Sequence, residues 1–139
     1  PAPALAGECL SGAHGSPSMR AFITGTDTGV GKTFVVALLT RALRKAGLDT
    51  VALKPLCSGE RDDVAILAEA SGGVLTMDEI NPIWLRTPAA PLVGAALEQR
   101  AISLDDLETW FNGVAATRQS ILVEGAGGWL GPRWCLGFL

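Results

Sequence analysis

The sequence predicts an α/β domain, a parallel sheet with helices on its faces. Three observations predict it. Short apolar, strand-like runs alternate with segments of helical period. A glycine-rich loop stands between the first such strand and the first helix. Three strand ends carry glycine, lysine or a carboxylate, over Gly25–Thr33, Lys54–Gly59 and Glu124–Gly128. Parallel sheets bind ligands outside the carboxyl ends of their strands. The three loops are therefore expected to converge on one site.

The elements follow in order. Ala21-Phe22-Ile23-Thr24 is a short strand ended by Gly25. A helix is predicted over 34–46, with Val35, Leu38, Leu39, Ala42 and Leu43 as its apolar face and Arg41, Arg44 and Lys45 as its polar one. Arg44 and Lys45 fall in its last turn, before Gly47, where helix ends favour cations. Thr50–Leu53 is the next strand and stops at Lys54-Pro55. Asp62–Ala70 reads as a helix ending before Gly72-Gly73. The stretch 81–91 contains three prolines and reads mostly as loop. Residues 92–99 suit a short helix. Ser103-Leu104-Asp105-Asp106 is a capping pattern that opens a helix to about Thr117. Ile121-Leu122-Val123 is a strand ending at Glu124. Right-handed crossovers should join the parallel strands.

Composition narrows the function classes. A chain of 139 residues is one domain's worth. Apolar residues at 48% and charged ones at 18% exclude a disordered chain. A net charge of -3 disfavours nucleic acid as a partner, because that footprint is basic. The longest apolar run, Phe34–Leu39, is far short of a bilayer span, so no membrane association is expected. Cys9, Cys57 and Cys135 form no CxxC pair and read as reduced thiols of a cytosolic protein. His14 has no partner motif and no catalytic role is expected of it. Residues 1–18 are Ala, Gly, Pro and Ser with almost no charge. They lack the features of a signal or transit peptide and read as a disordered extension, with Met19 a candidate start.

The chemistry lies in the three loops. Gly25-Thr26-Asp27-Thr28-Gly29-Val30-Gly31-Lys32-Thr33 follows a strand and opens a helix, the context of a P-loop. Its glycines let backbone N–H groups curl around phosphate oxygens, and the helix N-terminus adds partial positive charge. Lys32 would reach the β- and γ-phosphates, and the Thr33 hydroxyl would bind Mg²⁺. Five residues separate Gly25 from Gly31, one more than the general pattern has. In the second loop, Lys54 could hold an anion and Ser58 could hydrogen-bond one, although a lone strand-end lysine is more often solvated. In the third, Glu124 has the position of a metal-holding acid after an apolar strand, and Gly125, Ala126, Gly127 and Gly128 permit close backbone approach. From the residues alone, an ordinary strand-end turn remains open there. Asp62 and Asp63 begin a helix, where aspartate usually caps.

These segments resemble the dethiobiotin synthetase family. The resemblance runs from about Arg20 to Pro132 and rests on the loop from Ile23 to Thr33, Leu53-Lys54-Pro55 with Ser58-Gly59, Asp63, Glu79-Ile80-Asn81-Pro82, and Leu122–Leu130. The extra P-loop residue is what that family shows. The resemblance implies a P-loop NTPase-type fold, and an ATP- and Mg²⁺-dependent closure of the ureido ring of dethiobiotin in biotin synthesis. The substrates would be 7,8-diaminononanoate and CO₂ or bicarbonate, passing through a carbamate and a carbamic-phosphoric anhydride. A cytoplasmic homodimer is also implied.

By the same resemblance Lys54, Lys32 and Thr28 are catalytic and Ser58 contacts substrate. The nucleotide would be held by Gly29, Val30, Gly31, Lys32, Thr33, Phe34, Asp63, Glu124, Gly125, Ala126 and Gly127. Thr33, Asp63 and Glu124 would hold the metal. Gly29 departs from relatives that carry glutamate there, which leaves it a backbone role. Past Pro132 the tail Arg133–Leu139 no longer follows the family, so a C-terminally truncated domain over 19–132 with an aberrant tail is expected. Two other readings remain: a nucleotide switch of the partitioning or nitrogenase-iron-protein type, and an inactive fragment. The first usually carries an early P-loop lysine, where Thr26, Asp27 and Thr28 stand here.

Overall fold

The computed structural model of the chain describes residues 18–127. The leader, with Cys9 and His14, and the tail, with Cys135, lie outside the described residues. The described chain is α/β, as the alternation predicts. Strand β1 (Met19–Ile23) leads to helix α1 (Lys32–Lys45), then strands β2 (Thr50–Leu53) and β3 (Leu56–Ser58). Helices α2 (Asp62–Ala70) and α3 (Met77–Ile80) precede strand β4 (Ile83–Leu85). Helices α4 (Pro91–Leu97) and α5 (Leu104–Ala115) lead to strand β5 (Ser120–Glu124). Among the described residues no helix is long and apolar enough to cross a membrane.

The main sheet has the order β1-β5-β2 and is parallel throughout. Strand β5 is central and buried along its whole length, which suits its near-continuous apolar sequence. Its register sets Glu124 opposite Ile23 of β1, and Val123 opposite Leu53 of β2. The carboxyl ends of all three strands thus lie side by side, which brings the three loops together. On the outer side of β2, the Ala52 N–H donates to Ser71 Oγ at 2.9 Å.

The core joins Val51, Leu53, Ile121 and Leu122 of the sheet to Val64 and Leu67 of α2 and Ile80 of α3. Full burial of each such side chain is worth about 1.5–3 kcal/mol. A smaller cluster gathers Leu56, Ile83, Leu85, Ala95 and Leu107 around β3 and β4.

One expectation is corrected. Helix α1 turns Val36, Ala37 and Thr40 to the core, whereas Val35, Leu38 and Leu39 are 45–48% exposed. Apolar residues occupy most of this helix's circumference, so their spacing does not select a face. The small Ala37 and Thr40, whose hydroxyl is tied to the Val36 carbonyl at 2.7 Å, allow close approach to the sheet. The stretch 81–91 is mostly loop, as expected. β4 lies inside it and pairs in parallel with β3, Cys57 opposite Trp84. Proline at 55 has no N–H to donate, so the β2 line breaks at Lys54-Pro55 and resumes as β3.

Candidate functional site

The glycine loop leaves β1 and enters α1 through left-handed backbone. Gly29 has φ 72° and Gly31 φ 90°, conformations in which a side chain is strained. Gly31 is the N-cap of α1, which has no side-chain cap and no acid in its first turn. Its opening N–H groups therefore face the loop without a competing carboxylate. The Lys32 ammonium folds back to donate to the Asp27 carbonyl at 2.6 Å. The Asp27 carboxylate accepts from the Thr28 N–H at 2.7 Å. The loop is thus curled around its own lysine.

Beside it lies a chain of side chains drawn from all three strand ends. Thr33 Oγ1 donates to Glu124 Oε1 at 2.9 Å, and Lys54 Nζ donates to the same oxygen at 2.8 Å. Lys54 Nζ also donates to Asp63 Oδ2 at the start of α2. Lys54 is 7% exposed and Glu124 1%, so the solvated strand-end lysine considered above is not what forms. Burial by itself pulls the Lys54 pKa down. The Glu124 charge and the hydrogen bonds to Asp63 and Glu124 oppose it, and the net shift is upward. Lys54 is held as an ammonium.

These groups border a cavity of about 550 Å³. Thr28, Gly29, Gly31 and Lys32 line it from the first loop, Lys54, Ser58 and Asp63 from the second and the start of α2. Glu124, Gly125, Ala126 and Gly127 line it from the third. Thr33 adjoins through Glu124. Val30 and Phe34 are not in the lining, and both side chains are at least half exposed. The Gly125 N–H donates to the Ile23 carbonyl at 2.9 Å and ties the third loop to the end of β1.

Several contributors are assigned no role at the site by the sequence, Asn81 included although it lies in a segment that carries the resemblance. Asn81 is buried, and its amide donates to the carbonyls of Lys54 at 2.8 Å and Ile83 at 3.0 Å. It pins the Lys54-Pro55 break to β4 and so fixes where Lys54 starts. Pro88 to Pro91 form the opposite wall, and Cys57 and Glu60 complete the lining. Burial pushes the Cys57 thiol up, and its Sγ donates to the Glu60 carbonyl at 3.2 Å, so Cys57 is a neutral wall residue.

Among the residues lining the cavity, two buried polar atoms lack a partner. Ser58 Oγ and Glu124 Oε2 accept or donate no hydrogen bond. A buried polar group without a partner costs about 1–3 kcal/mol, so such atoms mark where a ligand fits. Glu124 Oε2 supplies the hard, anionic oxygen that Mg²⁺ prefers, with the Thr33 hydroxyl and Asp63 carboxylate nearby in the same chain. Among the described residues no group of three or more His, Cys, Asp or Glu could hold a metal ion.

A family model described as an AAA domain matches residues 19–133. The chain is 42% identical over 115 residues to an ATP-dependent dethiobiotin synthetase of Akkermansia muciniphila, covering 82% of this chain and 54% of that protein. It is 47% identical over 115 residues to one from Anaeromyxobacter dehalogenans, covering 80% and 52%. One from Methanococcus vannielii is 36% identical over 107 residues, covering 77% and 51%. The chain spans about half the length of these curated relatives.

Proposed function

This chain belongs to the AAA-domain family, and from that premise we propose that it carries the phosphate-binding and phosphoryl-transfer half of an ATP-dependent dethiobiotin synthetase. The observation that carries the reading is Glu124, whose one oxygen accepts from both Thr33 and Lys54 beside the glycine loop.

In this reading 7,8-diaminononanoate takes up CO₂ on one amine to give a carbamate. A carbamate oxygen attacks the γ-phosphorus of ATP, and ADP leaves. The second amine then attacks the carbamoyl carbon of the mixed anhydride, closing the ring and releasing phosphate. Two anions must approach one another, so positioning and charge stabilisation dominate the barrier. The N–H groups of Gly29, Val30 and Gly31 and those opening α1 at Thr33 and Phe34 would cradle the phosphates. Lys32 would exchange the Asp27 carbonyl for phosphate oxygens. Lys54 would hold the carbamate, Thr28 would adjoin it, and Ser58 Oγ would bond the substrate. Gly125, Ala126 and Gly127 would border the nucleotide. Thr33, Asp63 and Glu124 would hold Mg²⁺, which offsets charge developing on the phosphates. A cytoplasmic homodimer belongs to the same proposal.

The test is dethiobiotin formation from diaminononanoate, bicarbonate and Mg-ATP. It is run on this chain and on a version extended to the length of the relatives. The extended protein is expected to turn over and this chain to be far slower. Remote binding energy supports positioning at the reacting centre, and half the length is outside this chain. Absence of product from the extended protein would overturn the reading.

A further inference from the structure

We propose that Lys54 is a displaceable counter-ion: it fills the cation place between Asp63 and Glu124 and yields it when a divalent cation arrives. The inference rests on the metal role given above to Asp63 and Glu124.

The charges of this cluster do not close. Two carboxylates, Asp63 and Glu124, share one ammonium. Glu124 is buried, its Oε1 is used twice, and its Oε2 has no partner. A permanent structural ion pair at this depth would be expected to satisfy both oxygens, since a half-satisfied buried charge is costly. Asp63 is 47% exposed at its side chain and borders the cavity, so it can turn without breaking the core. A divalent cation would neutralise both acids, which one ammonium cannot. Freed of them, the Lys54 ammonium stays beside the cavity, where Ser58 Oγ is also unpartnered. Cation binding and anion capture by Lys54 are then coupled, since each leaves the other's partner available.

The experiment titrates Mn²⁺ alone, read by electron paramagnetic resonance, into the parental chain, Lys54→Met and Lys54→Arg. Lys54→Met is expected to bind Mn²⁺ at least tenfold more tightly, because the competing charge is gone, and Lys54→Arg no more tightly than the parent. Equal or weaker binding by folded Lys54→Met overturns the proposal while leaving the metal role intact. Absence of Mn²⁺ binding in every chain, with or without ATP, overturns both. Acylation of Lys54 in the parental chain, followed by peptide mass spectrometry, does not depend on any variant folding. Mg²⁺ is expected to raise its rate several-fold, and an unchanged rate overturns the proposal.

Discussion

Lys54 and Glu124 stand at the ends of neighbouring parallel strands and meet at 2.8 Å with almost no solvent between them and the core. The register of β2 on β5 sets this distance, since Leu53 and Val123 are paired partners one residue earlier. The contact thus reports sheet geometry as well as charge, and both can be probed.

Lys32→Ala is expected to weaken ATP binding without unfolding the chain. Lys32 is half-buried, and its side chain bonds to the Asp27 carbonyl in its own loop. A charge-assisted hydrogen bond is worth about 1.5–3 kcal/mol, so calorimetry should show a loss of roughly tenfold or more in affinity. Circular dichroism should be unchanged. Unaltered ATP affinity would remove Lys32 from the phosphate site.

Glu124→Ala should be severe for stability. Breaking a buried ion pair by removing one partner costs about 3–5 kcal/mol. Asp63 still holds Lys54, which favours the lower end. Arg41→Ala removes a pair with Glu69 whose side chains are 49% and 77% exposed, and should cost well under about 1 kcal/mol. Urea denaturation of the two variants side by side tests the contrast. Equal midpoints would mean the Lys54–Glu124 pair contributes nothing.

Asn81→Leu keeps the volume but removes the donor to the Lys54 and Ile83 carbonyls. A loss of about 2–4 kcal/mol is expected, from two buried acceptors left unsatisfied. Because Asn81 fixes the start of the Lys54 segment, a crystal structure of the variant should show the Lys54–Glu124 contact lengthened. An intact contact would limit Asn81 to a stabilising role.

The capping box of α3 gives an acid-side pH dependence. The Thr76 N–H, and then its hydroxyl, bond the Glu79 carboxylate and hold its pKa below the usual carboxylate value. A depressed folded pKa means the contribution is complete above the unfolded value and is lost as pH falls through the folded one. Glu79→Gln should therefore flatten part of the stability decline below the ordinary carboxylate range and leave the slope of the neutral-to-basic range unchanged. Superimposable pH profiles for parent and variant would contradict this.

Much of the fold and site was readable because it is local. The glycine loop, the strand ending at Glu124 and the helix over Asp62–Ala70 are each written in adjacent residues, and α2 has the predicted bounds. Strands β3 and β4 are three residues long and flanked by prolines, too short to display a period. The buried face of α1 is decided by what packs on it, not by its own apolar pattern. Asn81 matters through two carbonyls that only the folded chain brings to it. The Lys54–Asp63–Glu124 contact is likewise tertiary: the three residues were nameable as candidates, but their mutual neutralisation was not.

The place of β5 has a consequence for how the chain assembles. Among the described residues, strands β1 and β2 do not touch as partners, since each pairs with β5 between them, and β5 follows both in the chain. Met19 has to wait for Ser120 before its first ladder bond can form. Long-range pairing of this kind is slow, because loop closure precedes any compensating contact. During synthesis the early strands would emerge without partners, while α1 and α2 could already condense on one another. Completion of β5 is then the event that joins β1 and β2 into one sheet, and a ribosome paused before Ser120 would hold a chain in which the phosphate loop has no floor.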